Sequence, residues 1–106
     1  MSLKCESVGH LVVPLIKAYI AKELIDNYHF TQVEVAEKLG ITQAAVSQYL
    51  HQKRGLKGVE KLREFIPSIQ NRAHEIAQEI AISKLSLEEI STKICEVCSL
   101  ILNKYR

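Results

Sequence analysis

The chain contains few helix-interrupting residues and no long apolar stretch. Only two prolines occur among 106 residues, and each precedes a segment with helical periodicity, so Pro14 and Pro67 are both expected near helix starts. The longest apolar run, near 11–16, is far shorter than the roughly 20 residues that a membrane-spanning helix needs. No strand pattern outlasts a few residues, and repeats and low-complexity linkers are missing. These absences favour an all-α fold outside the membrane.

Cysteines are few as well, and their number is odd. The N-terminus lacks the pattern of a signal peptide, so three thiols indicate a reduced, cytoplasmic setting. Cys95 and Cys98 are spaced to share a helix face, and with Cys5 they are the candidate ligands of a metal or redox site. Three thiolates leave a tetrahedral site one ligand short, which His10, His74 or a second subunit would have to supply. We therefore favour packing cysteines and expect no metal or other cofactor.

Catalytic motifs are also missing. The sequence contains no glycine-rich phosphate loop, no nucleophile elbow and no His-Glu-x-x-His. Its four histidines are scattered, and none has an acidic partner at a spacing typical of catalysis. We expect no enzymatic activity.

The positive charge is concentrated in one segment. Residues 42–63 contain five basic residues against one acidic residue, an excess of +4, whereas 1–41 and 64–106 each carry −1. A solvated helix face normally balances lysine with glutamate. A local excess of one sign indicates a polyanionic partner, with nucleic acid as the first candidate.

Helix signals follow one another along the chain. Thr31 with Glu34, and Ser86 with Glu89, have capping-box spacing, and Thr42 is a further N-cap candidate. Gly40 suits the left-handed position after a helix. With hydrophobic periodicity, these signals predict six helices at about 14–28, 32–39, 43–52, 59–65, 69–82 and 87–104.

The second and third predicted helices form a helix-turn-helix pattern. Ala36 is small where the two helices must approach, Gly40 lies at the turn, and apolar side chains at Leu39, Ile41, Val46 and Leu50 point inward. The stretch from Ile41 to Gly55 has no carboxylate, and one face of it carries only small residues, amides and a histidine. The simpler alternative is a helix pair within an all-α core that has no contact with DNA.

Such a face suits the major groove of double-stranded DNA. Glutamine amides can pair with adenine, an alanine methyl can contact thymine, and helix starts and basic residues can hold phosphates. The candidate DNA-binding residues are Gln32, Thr42, Gln43, Ala44, Ser47, Gln48, His51, Lys53, Arg54 and Lys57. A protein-interaction module, such as an antitoxin-like or adaptor domain, is the alternative function for the same fold.

The stretch from Phe30 to Leu50 resembles the lambda-repressor-like (Cro/repressor, XRE-type) DNA-binding domains. More narrowly, Cys5-Glu6, the proline-led first helix, the run Ala44–Tyr49 and Lys53-Arg54-Gly55 resemble short archaeal predicted transcriptional regulators. The resemblance implies a five-helix domain, at about 10–66, that binds operator DNA as a dimer through its second and third helices. Relatives in the narrower group can carry an added ligand-binding domain, for which we expect no room here.

The C-terminal third, 67–106, carries two seam-like apolar stripes. Spacings of three and four residues relate the members of each, Ile69, Ala73, Ile76 and Ile80 on one helix and Leu87, Ile90, Ile94, Val97 and Ile101 on the other. We expect these helices to form a homodimer, with the second stripe at its interface. The alternative is that both helices cover the chain's own core.

Overall fold

In the computed structural model, the backbone is described for residues 2–51, 63–83 and 85–105, and the side chains for 12–51, 63–83 and 85–101. Within these ranges the chain forms five α-helices and no strand, which confirms the all-α class. They are α1 (Ser2–Tyr28), α2 (Gln32–Leu39), α3 (Gln43–His51), α4 (Ile66–Ser83) and α5 (Leu87–Tyr105). A short 3₁₀ turn at 63–65 precedes α4. The rest of the helix predicted at 59–65 lies outside the described residues.

Helix α1 corrects the expectation for its proline. Pro14 lies inside a helix of 27 residues and does not begin it. An interior proline removes one backbone hydrogen bond and costs about 3 kcal/mol in an isolated helix. Here the apolar stripe is anchored on both sides of the proline, because Val12 and Ile16 are both completely buried. Burial of this stripe offsets the lost bond, so packing overrides the local signal.

The predicted signals around α2 and α3 are confirmed. The Glu34 amide donates to Thr31 Oγ1 at 3.1 Å, and the Thr31 amide donates to Glu34 Oε1 at 2.8 Å, which completes the capping box of α2. Gly40 ends α2 with φ at +68°, and its amide donates to the Ala36 carbonyl. Thr42 Oγ1 caps α3 by accepting from the Ala45 amide at 3.1 Å. The turn between the two helices is therefore held by bonds on both sides.

The two C-terminal helices also begin near the predicted residues. Helix α4 begins at Ile66, three residues before the predicted start, and Pro67 lies in its first turn, where its missing amide costs no bond. Helix α5 follows the Ser86 capping box, in which the Ser86 amide donates to Glu89 Oε1 at 2.9 Å. The Glu89 amide returns a bond to Ser86 Oγ at 3.2 Å.

One hydrophobic core joins all five helices. Helix α1 packs against each of the other four, and α5 packs against α1, α2 and α4. Four residues of the stripe expected at a dimer interface lie in this core with 1–4% exposure, namely Ile90, Ile94, Val97 and Ile101. The fifth, Leu87, is 49% exposed. Neighbouring helices of the same chain cover these four side chains, and the dimer interface on this stripe stays a prediction.

Two polar links connect neighbouring helices at the surface. Glu23 Oε1 on α1 lies 3.2 Å from His74 Nδ1 on α4, and it also accepts from Asn27 Nδ2 of the side chain at 2.7 Å. Lys93 Nζ on α5 lies 3.0 Å from Glu79 Oε1 on α4. The Glu79 carboxylate raises the pKa of the Lys93 ammonium.

Across the described ranges, none of the helices combines the length and apolar character that crossing a membrane requires.

Candidate nucleic-acid interface

Helix α3 rests on the core through a narrow apolar edge. Val46 is the one fully buried side chain that α3 contributes, while Ile41 before the helix and Leu50 near its end are partly buried against the core. Tyr49 is also partly buried, and this burial raises the pKa of its phenol, which therefore stays neutral. The remaining residues of α3 are left for the opposite, solvent-facing side.

The solvent-facing side of α3 forms a shallow concave surface. We call it the α3 concavity, and it is lined by Thr42, Ala44, Ala45, Ser47, Gln48 and His51. Five of these six were predicted as DNA-binding residues. Ala45 was not predicted. The N-cap spacing does indicate that its backbone amide donates a capping bond to Thr42 Oγ1, and this bond could have pointed to it. Small side chains at the centre leave the backbone of α3 open to close approach by a ligand.

Two further predicted residues do not line the α3 concavity but begin α2 and α3. Gln43, the first residue of α3, is exposed, and Gln32, the first residue of α2, is partly exposed. Both therefore lie at helix N-termini, where unpaired amides and the helix dipole favour anions. Among the residues that the structure describes, neither side-chain amide has a hydrogen-bond partner, so both are available to a partner molecule.

His51 closes the far end of the α3 concavity and is held in a defined orientation. Its Nδ1 lies 2.8 Å from the Ser47 carbonyl oxygen and 3.5 Å from Ser47 Oγ. A carbonyl oxygen can only accept, so Nδ1 carries the proton in this bond. The neutral ring then presents Nε2 as an acceptor, and a protonated ring presents it as a donor.

Helix α3 carries no acidic side chain. Nothing on it therefore repels a phosphate. Arg63, the last residue of the basic segment, is exposed just before α4. The other predicted basic contacts, Lys53, Arg54 and Lys57, lie outside the described residues.

The Cys-x-x-Cys pair does not form a common face. Cys95 is exposed, whereas Cys98 is 6% exposed and belongs to the core. Among the residues with described side chains, no three histidines, cysteines or acids are placed to share a metal ion. The Cys5 side chain lies outside that set.

Comparison of the chain with models of protein families, with curated proteins and with solved structures finds no match in any of the three. Its function is therefore inferred from its own residues.

Proposed function

We propose that the chain is a sequence-specific DNA-binding transcriptional regulator that represses by occupying its operator. In this proposal α2, the Gly40 turn and α3 act as a helix-turn-helix of the lambda-repressor-like type, with α3 in the major groove. The observation that carries the proposal is the α3 concavity, an open surface of small, amide and hydroxyl side chains without a carboxylate.

The chemistry of this surface suits base edges and phosphates. The Gln43 and Gln48 amides can each donate to and accept from adenine, and each good pair contributes about 1–3 kcal/mol of discrimination. The Ala44 methyl is short enough to contact a thymine methyl. The N-termini of α2 and α3 supply Gln32 and Thr42 for the phosphate backbone, which fixes the position of the helix along the duplex.

A homodimer is part of the proposal, because one short helix contacts only a few base pairs. Two copies related by a twofold axis would place two α3 helices about one turn of DNA apart and favour a near-palindromic operator. The dimer interface predicted on the α5 stripe stays part of this proposal, although neighbouring helices cover four of its side chains within the single chain.

The test is a selection of bound duplexes from a random DNA pool, carried out with the full chain at two salt concentrations. The expected result is an enriched, near-palindromic motif with half-sites about 10 base pairs apart. Binding to random sequences should weaken steeply at the higher salt concentration, since it depends on phosphate contacts alone.

A second selection with a Gln43→Ala, Gln48→Ala double variant serves as the control. It should lose base preference at defined positions of the motif while keeping the half-site spacing. If the unaltered chain enriches no motif and its DNA binding vanishes at moderate salt, the regulator proposal fails and a protein partner becomes the better candidate.

A further inference from the structure

The turn between α2 and α3 is contacted from outside by the first residue of α5. A Cβ placed on Gly40 would lie 3.0 Å from Leu87 Cδ1 and 3.3 Å from Leu87 Cδ2. The leucine side chain therefore lies directly over the Cα of the turn glycine. Glycine suits this position for two separate reasons. Its φ of +68° is left-handed, and a Cβ here would require the Leu87 side chain to shift by a few tenths of an ångström.

The position of Leu87 is itself fixed by local bonds. It follows Ser86, whose capping box with Glu89 sets the start of α5, and the Ile90 amide donates to the Ser86 carbonyl at 3.0 Å. Three residues further on, Ile90 is almost completely buried. The start of α5 is thus held by a cap on one side and by the core on the other.

Helix α3 packs against α1 and α2, but it buries few side chains. It buries one side chain completely, whereas α2 buries three and α4 buries five. A surface that must match base edges has to be held to a fraction of an ångström before binding, or ordering it reduces the affinity. The turn that leads into α3 is therefore a place where a single contact can set the orientation of the helix.

We propose that Leu87 is a positioning residue for α3: by covering Gly40 it links α5 to the turn and holds α3 at the angle that binding requires. The link to DNA rests on the proposed function, whereas the contact with the turn does not. Leu87 is 49% exposed, so the contact with Gly40 covers only part of its side chain.

The first test is a double-mutant cycle on stability. Gly40→Ala should lower Tm in the otherwise unaltered chain, because it introduces a strained φ and forces the Leu87 side chain to shift. In a Leu87→Ala background no such shift is needed, so Gly40→Ala should lower Tm by clearly less. Leu100→Ala is the matched background, since Leu100 is a leucine on the same helix with 42% exposure. Equal Tm losses in all three backgrounds would overturn the proposal.

The second test measures amide exchange at the turn. The Gly40 and Ile41 amides both donate to the Ala36 carbonyl, the latter at 3.0 Å. Leu87→Ala should speed their exchange roughly fivefold or more relative to the core amides of α4, and Leu87→Met, which still reaches the turn, should restore the slow rate. Leu100→Ala should leave the ratio unchanged. A turn that exchanges no faster in Leu87→Ala would overturn the contact's role.

The third test uses the duplex selected by the unaltered chain. Leu87→Ala should weaken its binding to that duplex roughly three- to tenfold while changing binding to random DNA little, a loss of up to about 1.4 kcal/mol. Equal weakening on both duplexes would overturn the positioning role. If the unaltered chain selects no duplex, the proposed function fails, and the stability cycle and exchange rates still decide whether Leu87 holds the turn.

Discussion

His29 is the one non-glycine residue with positive φ among those described, at +62°. It follows the last residue of α1, and the next amide, that of Phe30, returns to the Leu24 carbonyl at 3.1 Å. This is the arrangement in which helices most often carry glycine. The left-handed φ therefore costs conformational free energy at His29, which is exposed and whose side chain forms no hydrogen bond with the described residues.

We expect His29→Gly to stabilise the fold by about 0.5–1 kcal/mol, because glycine adopts this φ without a Cβ clash. Urea denaturation of the two proteins measures the difference. Gln78→Gly, at an exposed position in the interior of α4, is the contrasting change and should destabilise by a similar amount, about 0.5–1 kcal/mol. A loss of stability for His29→Gly would contradict the assigned strain.

The proposed contact between Gln43 and a base leads to a second prediction for a single residue. Gln43→Ala should reduce binding to the selected duplex by about 1–3 kcal/mol and relax preference at one position of each half-site. Lys53→Ala, which removes a predicted phosphate contact, should weaken all duplexes alike and lower the salt dependence. Competition binding with singly altered duplexes measures both effects.

Gln78 offers the matched control for Gln43, since it is an exposed glutamine on α4. Gln78→Ala should bind every duplex as the unaltered chain does. Equal losses on selected and random duplexes for Gln43→Ala would rule out its base-specific role.

Among the elements, the start of α5 depends on the ionisation of one carboxylate. The Ser86 amide, by donating to the Glu89 carboxylate, lowers the pKa of Glu89 from its ordinary value of 4.5. A carboxylate with a lowered folded pKa stabilises the fold above its unfolded pKa. That stabilisation is lost as the pH falls through the folded value, below 4.5.

We therefore expect Glu89→Gln to be less stable than the unaltered chain at neutral pH, with the difference shrinking as the pH falls below 4.5. Chemical denaturation across this range measures it. Glu88→Gln, one residue away, leaves both bonds between Ser86 and Glu89 in place and should cost less at neutral pH. A Glu89→Gln deficit that persists in acid would contradict the ionic cap.

Elements were predictable where their signals are local. The boundaries of α2, the caps at Thr31 and Ser86 and the turn at Gly40 depend on hydrogen bonds that span a few residues, so the sequence contains the whole cause. Pro14 inside α1 was not predictable in this way, because its tolerance depends on burial against distant helices. The solvent-facing residues of α3 followed from periodicity, but the contact between Gly40 and Leu87 joins residues 47 positions apart.

The stripe on α5 shows the same limit. Its spacing correctly identified a buried face, but periodicity does not say whether the covering surface belongs to the same chain or to another. The structure supplies α1, α2 and α4 as the cover.

At the scale of the whole molecule, the division into 10–66 and 67–106 stays a prediction, while the core extends across it. Helix α4 contributes five buried residues to the cluster that also includes Ile16 and Ile20 of α1. We expect a fragment of residues 1–66 to lack a cooperative melting transition, because it would expose the face of α1 that α4 and α5 cover. Circular dichroism of fragment and full chain decides this, and a fragment that melts cooperatively would support the sequence-based division.

Point variants check the same expectation without truncation. Ile69→Ala, at a side chain that is completely buried, should destabilise the full chain by about 2–5 kcal/mol. Ile82→Ala, at the other end of the same helix with 68% exposure, should change stability by less than about 0.5 kcal/mol.

The central position of α1 also bears on synthesis at the ribosome. Helix α1 packs against α4 and α5 as well as α2 and α3, so part of its apolar stripe stays uncovered until residues near Ile101 have left the exit tunnel. At about 5–20 residues per second, this exposure lasts for seconds. During that interval the uncovered part of α1 is open to binding by a chaperone, and the Gly40 turn gains its contact with Leu87 only after the start of α5 has been synthesised.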